Sequence, residues 1–270
     1  MNALSRLIPP EFAPGTVWLV GAGPGDPGLL TLHAAHALTQ ADVVLHDALV
    51  APEILALAPQ ARMEAVGKRA GDARTPQLRI NQRLIHLARA GHRVVRLKGG
   101  DPLLFGRGGE EALALAATGV SFRIVPGISA GIGGTAAAGI PTTHRGVAQS
   151  VAFATGQGAA GEPEWERFAR SADVLVLYMA LRRLDCITPR LLAGGRAADE
   201  PVAFISDATT PRQRVVITTL GQAPEIARGI DRGAATLIVV GAVVALGGVI
   251  AAAQLTTPMT LVPVSRRATA

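Results

Sequence analysis

The chain has 270 residues, 49% of them hydrophobic and 17% charged, enough apolar material for one large core or two smaller ones and too much for a disordered polymer. Lysine and arginine outnumber aspartate and glutamate 26 to 20, a net charge of +6 and a pI near 10.8, which favour an acidic partner. Aromatics make up only 3% and the arginines are scattered, so a nucleic-acid surface is not expected and a polycarboxylate small molecule suits the charge better.

The first residues, "MNALSRLIPPEFAPG", have no apolar run of signal-peptide length before their prolines, and 1–14 read as a loose tail. Next comes "VWLVGAGPGDPGLLTL". An apolar strand feeds glycines at Gly23, Gly25 and Gly28, the G-x-G-x-x-G spacing of a dinucleotide loop, and Asp47 lies about twenty residues further on, where a ribose would be held. Pro24 and Pro27 argue against a pyrophosphate there, because such a cradle is made of backbone N–H groups and each proline removes one.

Further along, "DVVLH", "HRVVRL" and "SFRIV" alternate with helical stretches such as "LLTLHAAHALTQ", "PQLRINQRLIHLARA" and "GGEEALALAATG", the pattern of an α/β domain with a mainly parallel sheet. That domain spans 15–127. After a Gly/Ala-rich junction, "SVAFATG", "ADVLVLYMA", "PVAFISDAT", "RQRVVITTL" and "ATLIVVGAVV" predict a second α/β domain over 128–247, and 248–270 read as a tail. Two consecutive domains joined this way suggest a ligand held between them. The uncharged stretch from Gly233 to Ser265 has the length of a membrane span. Its β-branched first half and its glycines fit a buried last strand followed by small residues better, so no membrane partner is expected.

Only two lysines occur, Lys68 and Lys98, so each marks a place where a compact ammonium is needed and a guanidinium will not serve. Asp47 ends a strand and projects from the carboxyl edge of the sheet into a ligand crevice; alone, it reads equally well as a helix N-cap for the segment from Leu49. Arg107 and Glu110 stand at i and i+3 near a helix start, either pairing to steady that turn or facing a substrate carboxylate. His33 and His36 have helical spacing on a surface face, and His144 suits an ordering role between domains. The single cysteine, Cys186, excludes an internal disulfide, and no Cys/His pairs have zinc spacing, which leaves a cytoplasmic protein without a metal as the expectation.

Taken in order, "VGAGPGDPGLLT", "VVLHDALV", "VGKRAG", "VVRLKGGDPLLFGRGGEE", "VPGISA", "GIPTTHRG" and "LYMA" resemble the uroporphyrinogen-III C-methyltransferases of the tetrapyrrole methylase family. The likeness runs from about residue 16 to 245. It implies a homodimer of two-domain α/β subunits with S-adenosylmethionine bound between the domains, methylating C2 and then C7 of uroporphyrinogen III to give precorrin-2, the entry to sirohaem, cobalamin and haem d1. It also implies cofactor contacts at Pro24, Gly99, Gly100, Asp101, Leu104, Ser129, Ala130, Met179 and Ala208, with Asp101 directing its carboxylate to the cofactor. Asp47, Lys68 and Arg107 are the implied catalytic residues. The chain departs from the family pattern at Ala48, where an arginine is usual, and at Asp207, where the family has Asn. Two alternatives stay open: a methylase acting on a later precorrin, and an NAD-binding oxidoreductase or non-catalytic cofactor binder.

Overall fold

Strand β1, Val17–Gly21, is buried along its whole length, as a continuous apolar run in the middle of a parallel sheet must be. The computed structural model describes residues 8–66, 77–157 and 164–254. After β1 come α1 (Leu32–Gln40), β2 (Val43–His46), α2 (Pro52–Leu55), β3 (Arg62–Ala65), α3 (Gln77–Arg89), β4 (Val94–Lys98), α4 (Gly108–Ala117) and β5 (Phe122–Val125). The sheet order is β3-β2-β4-β1-β5, and all its pairings are parallel.

Right-handed crossovers decide which face each helix covers. The chain moves leftward from β1 to β3, so Ala34, Ala37 and Leu38 of α1 and Ile54 of α2 pack with Trp18, Val20, Val44 and Val95. It then returns rightward, and Leu84 and Leu87 of α3 with Leu115 of α4 cover Val17, Leu19, Leu45 and Val94 on the other face.

The second sheet follows α5 (Ala130–Ala137) and contains β6 (Val151–Thr155), α6 (Trp165–Phe168), β7 (Val174–Tyr178), α7 (Leu184–Ala193), β8 (Pro201–Ser206), β9 (Arg214–Thr219), α8 (Ala223–Gly229) and β10 (Thr236–Val240), with α9 (Val244–Ala253) after it. Its order is β6-β7-β10-β8-β9. β6 and β7 are parallel, whereas β10 runs antiparallel to both neighbours and β8 and β9 form a hairpin. Trp165, Ile187, Leu191 and Ala223 seal one face; Ile140, Val243 and Val244 lie on the other.

Two expectations change. The segment 1–14 is not loose to its end: Phe12 stacks on Trp18 with ring centres 4.6 Å apart, and its carbonyl accepts from Arg93 Nε at 2.9 Å. The boundary at 247–248 falls inside α9, which runs to Ala253. Its small residues serve close packing, since a Cβ on Gly139 would meet Ala251 N at 2.8 Å and one on Gly247 would meet Ile140 at 2.7 Å. β3 has no apolar run to announce it, because three of its four residues are exposed. Among the described residues, no helix is long and apolar enough to cross a membrane.

Candidate functional site

In the first sheet the loops leaving the adjacent strands β1 and β4 go to opposite faces, which opens a crevice at their carboxyl ends. Two hydrogen bonds tie the loops together there: Gly100 N donates to Gly23 O at 2.8 Å and Gly23 N to Gly100 O at 3.2 Å. The floor is made of backbone. A Cβ on Gly127 would lie 2.2 Å from Gly100 O, and one on Gly21 would lie 2.5 Å from Gly127 Cα. Gly100 itself has room for a Cβ, with nothing nearer than 3.6 Å, and is required instead by its φ of +66°. Gly99 borders only Leu49. Gly21 and Gly127 are the residues that sequence reasoning missed; the one signal was a glycine at the carboxyl end of each strand, Gly21 as the last residue of β1 and Gly127 two residues beyond β5.

The β1–α1 loop spends its donors inside the protein. Ala22 N bonds to Lys98 O, Leu29 N to Asp26 O and Leu30 N to Pro27 O. Gly28 N bonds to Asp26 Oδ1 at 2.7 Å, and Asp26 N to Thr209 Oγ1 at 3.0 Å. With Pro24 and Pro27 lacking an N–H and an aspartate capping the turn, this loop is unsuited to a pyrophosphate. Asp47, which a dinucleotide fold would turn toward a ribose, is committed to cations.

Loops at the carboxyl ends of β7 and β8 close the crevice from the second sheet. A Cβ on Gly133 of α5 would meet Pro24 Cγ at 2.9 Å, and one on Gly25 would meet Thr210 at 2.7 Å and Ala208 O at 3.0 Å. Ser129, which begins α5 ahead of Ala130, does not cap the helix with its own side chain. Its hydroxyl is instead 2.6 Å from that of Tyr178, and Tyr178 accepts from Gly131 N at 2.7 Å. Burial pushes the Tyr178 hydroxyl above its ordinary pKa, so it stays a neutral donor. Phe105, next to the half-buried Leu104, packs 5.0 Å from the Tyr178 ring.

Among the described residues, five other than glycine hold positive φ: Phe105, Arg107, Met179, Asp207 and Thr209. All stand in the loops after β4, β7 and β8, and such strain gathers where surrounding structure over-determines the backbone for a purpose. Met179 is 44% exposed, an apolar side chain offered to the crevice. Asp101 is held by backbone from two loops. Its two carboxylate oxygens accept from Leu103 N at 2.8 Å and Gly127 N at 3.0 Å, stapling the β4 loop to the β5 loop.

Asp47 follows β2, and its carboxylate receives Arg96 Nη2 at 2.5 Å and Lys98 Nζ at 3.5 Å. Its side chain therefore does not cap a helix; α2 starts after Ala51 with no side-chain cap. Arg96 and Lys98 also meet the buried Glu111 of α4. Burial, and then the neighbouring Arg96, depress the Lys98 pKa below the ordinary lysine value. A Cβ on Gly106 would come 3.2 Å from Lys98 Cε, so the absence of a side chain at Gly106 leaves room for the buried lysine. Arg107 pairs bidentately with Glu110 at 2.8 and 2.7 Å on the exposed rim. Lys68 lies outside the described residues. His33 and His144 are exposed and His36 is half-buried near Trp18.

Residues 16–224 match the family model of tetrapyrrole (corrin/porphyrin) methylases. The chain belongs to the tetrapyrrole methylase family. Among its curated relatives, a uroporphyrinogen-III C-methyltransferase of Sinorhizobium is 54% identical over 88% of this chain and 86% of that one. Siroheme synthase 3 of Aeromonas hydrophila is 53% identical over 86% of this chain, and the chain spans about half the length of that relative. Among solved structures, the uroporphyrin-III C-methyltransferase of Thermus thermophilus complexed with S-adenosylhomocysteine superposes with a TM-score of 0.76 at 42% identity, covering 86% of this chain and 99% of that one. The two-sheet architecture is that of the tetrapyrrole methylases, and the family's reaction class is methyl transfer.

Proposed function

We propose that the protein is an S-adenosylmethionine-dependent uroporphyrinogen-III C-methyltransferase that methylates C2 and then C7 to give precorrin-2, as a cytoplasmic homodimer without a metal. The observation that carries this reading is the crevice between the two sheets, whose β1 loop has spent most of its N–H donors internally while its floor is bare backbone. S-adenosylmethionine has no pyrophosphate and needs a close, mostly apolar fit with a few polar contacts. Pro24, Leu104, Met179 and Ala208 would supply walls, Gly99 and Gly100 the close backbone approach, and Ser129 with Ala130 the polar contact at the start of α5. Asp101 would act by fixing the glycine loop.

Bound there, the cofactor supplies an electrophilic methyl on sulfur. An electron-rich pyrrole carbon bonds to that methyl as the carbon–sulfur bond breaks, and a proton then leaves the ring as its double bonds rearrange, so the protein's task is alignment and proton movement. Asp47 is assigned as the base, facing the crevice from the end of β2. Lys68 is assigned as the proton donor. Arg107, half-exposed on the rim, is assigned to grip a substrate carboxylate, a role its planar fork suits.

Incubation with uroporphyrinogen III and labelled S-adenosylmethionine, followed by mass analysis, tests the reading. Incorporation of two methyl groups supports it, and no incorporation, or methylation only of a later precorrin, sinks it. Light scattering tests the dimer: a particle of 27.7 kDa is the monomer and would refute that part.

A further inference from the structure

Beneath the crevice, ionisable side chains from three elements form one cluster. Arg96 and Lys98 are two residues apart on β4, so they project from the same face of the strand, and each is 2% exposed. Glu111, fully buried on the covering helix α4, receives Arg96 Nε at 2.9 Å, Lys98 Nζ at 3.4 Å and Gln77 Nε2 of α3 at 3.1 Å, all on Oε1. Its Oε2 is buried with no hydrogen-bond partner among the described residues. A carboxylate half-satisfied in the interior is costly to keep, which calls for a return elsewhere.

That return lies on Asp47. It is the one member of the cluster with substantial exposure, 29% of its side chain, and both cations that Glu111 holds also hold Asp47. Two cations are balanced by two anions. Without Glu111, Arg96 and Lys98 would both be free to turn onto Asp47 and draw its carboxylate inward. Among the described residues His46 adjoins it, with Nδ1 3.2 Å from Asp47's own carbonyl, while Arg107 pairs with Glu110 at the start of α4. Glu111 belongs to that same turn, its N–H donating to Arg107 O at 3.3 Å.

We infer that Glu111 is a positioning residue for Asp47, fixing through Arg96 and Lys98 the direction in which that carboxylate faces the crevice, without itself touching substrate. The inference rests on the reading that Asp47 is the base. A small misplacement of a reacting group costs up to about 10²-fold in rate, and a loss on that scale is expected.

The test is a double-mutant cycle on the full chain with Glu111→Gln, Asp47→Asn and the pair, read as single-turnover methylation of uroporphyrinogen III and as calorimetric affinity for S-adenosylhomocysteine. Glu111→Gln is expected to lower the turnover rate, leave cofactor affinity unchanged and add nothing in the Asp47→Asn background. If Glu111→Gln does not fold, Lys98→Met with Glu111→Gln keeps the buried charge balanced and is read in the same cycle. An equal loss in both backgrounds, a wild-type rate, or a parallel fall in cofactor affinity overturns the inference. A wild-type rate for Asp47→Asn overturns the assignment of the base and this inference together, whereas a slow Asp47→Asn beside an unaffected Glu111→Gln overturns the inference alone.

Discussion

A methyl group added at Gly127 would press on the carbonyl of Gly100, 2.2 Å away, while one at Gly100 would find space but force a side chain into φ +66°. The two substitutions therefore differ in mechanism. Gly127→Ala is expected to shift backbone, costing about 1–3 kcal/mol and cofactor binding with it. Gly100→Ala is expected to cost about 1–2 kcal/mol through conformation alone, and Gly99→Ala to cost little. Urea unfolding beside cofactor titration separates them, and equal behaviour at 99 and 127 would remove the case for a backbone floor. The family resemblance pointed to Gly100, whereas the crowded position is Gly127. Which backbone atoms meet is set by two strands and two loops far apart in the chain, so spacing alone does not encode it. Asp47 was legible as a strand-end carboxylate. Asp47→Asn keeps its shape and removes the basic form; a rate loss of about 10²- to 10⁴-fold with cofactor affinity preserved is expected, and a joint loss would move Asp47 to the cofactor site. Lys68→Arg is expected to behave likewise, because a guanidinium does not give up its proton at working pH.

At the level of elements, the strands legible in the sequence are those with a β-branched or apolar run, whether buried throughout as in β1 or largely exposed as in β9. β3 hid because it carries no apolar run, and its partly buried Glu64 is occupied by polar contacts: Glu64 takes Arg83 of α3 at 2.8 and 2.6 Å and Arg62 at 3.2 Å. α9 hid for the opposite reason, since a helix apolar on every side has no amphipathic period to read. Strained loops are equally silent: nothing in the types Phe105, Met179 or Thr209 announces a positive φ. Hydrogen bonding and charge from Arg83, helped by Arg62, hold the Glu64 carboxyl below its ordinary 4.5 against the opposing effect of burial. For a carboxyl lowered in the folded state, the contribution is whole above 4.5 and is lost as pH falls through the lowered value. Glu64→Gln is expected to cost roughly 0.5–1 kcal/mol at neutral pH, the range for a bidentate pair at the surface, and nothing in strong acid. Hydrogen exchange at residues 62–65, compared at neutral and acid pH, checks it; a pH-independent difference would mean that shape and not charge holds β3.

Over the whole molecule, the two sheets meet through loops rather than through a shared core: Asp26 on Thr209, Ser129 on Tyr178, Gly25 against Ala208 and Thr210. A ligand lodged among those loops touches both sheets at once. It stabilises the folded state by mass action, by about 2.7 kcal/mol at a hundredfold excess over its dissociation constant, and at about 2–4 °C per kcal/mol this raises the melting temperature by roughly 5–10 °C. S-adenosylhomocysteine is expected to produce that rise in a single transition. NAD at the same concentration is expected to produce none, because Pro24 and Pro27 offer no N–H and those of Ala22, Gly23, Asp26 and Gly28 are bonded to Lys98 O, Gly100 O, Thr209 and Asp26. The glycines that made a dinucleotide loop credible in the sequence are thus put to another use: Gly23 pairs backbone to backbone with Gly100, and Gly25 lets Thr210 and Ala208 of the second sheet come close. If NAD raises the melting temperature and S-adenosylhomocysteine does not, the loop has been misread and the oxidoreductase alternative returns. If the cofactor product splits the melt into two transitions, it binds one sheet alone, and a crevice shared by both is the wrong site.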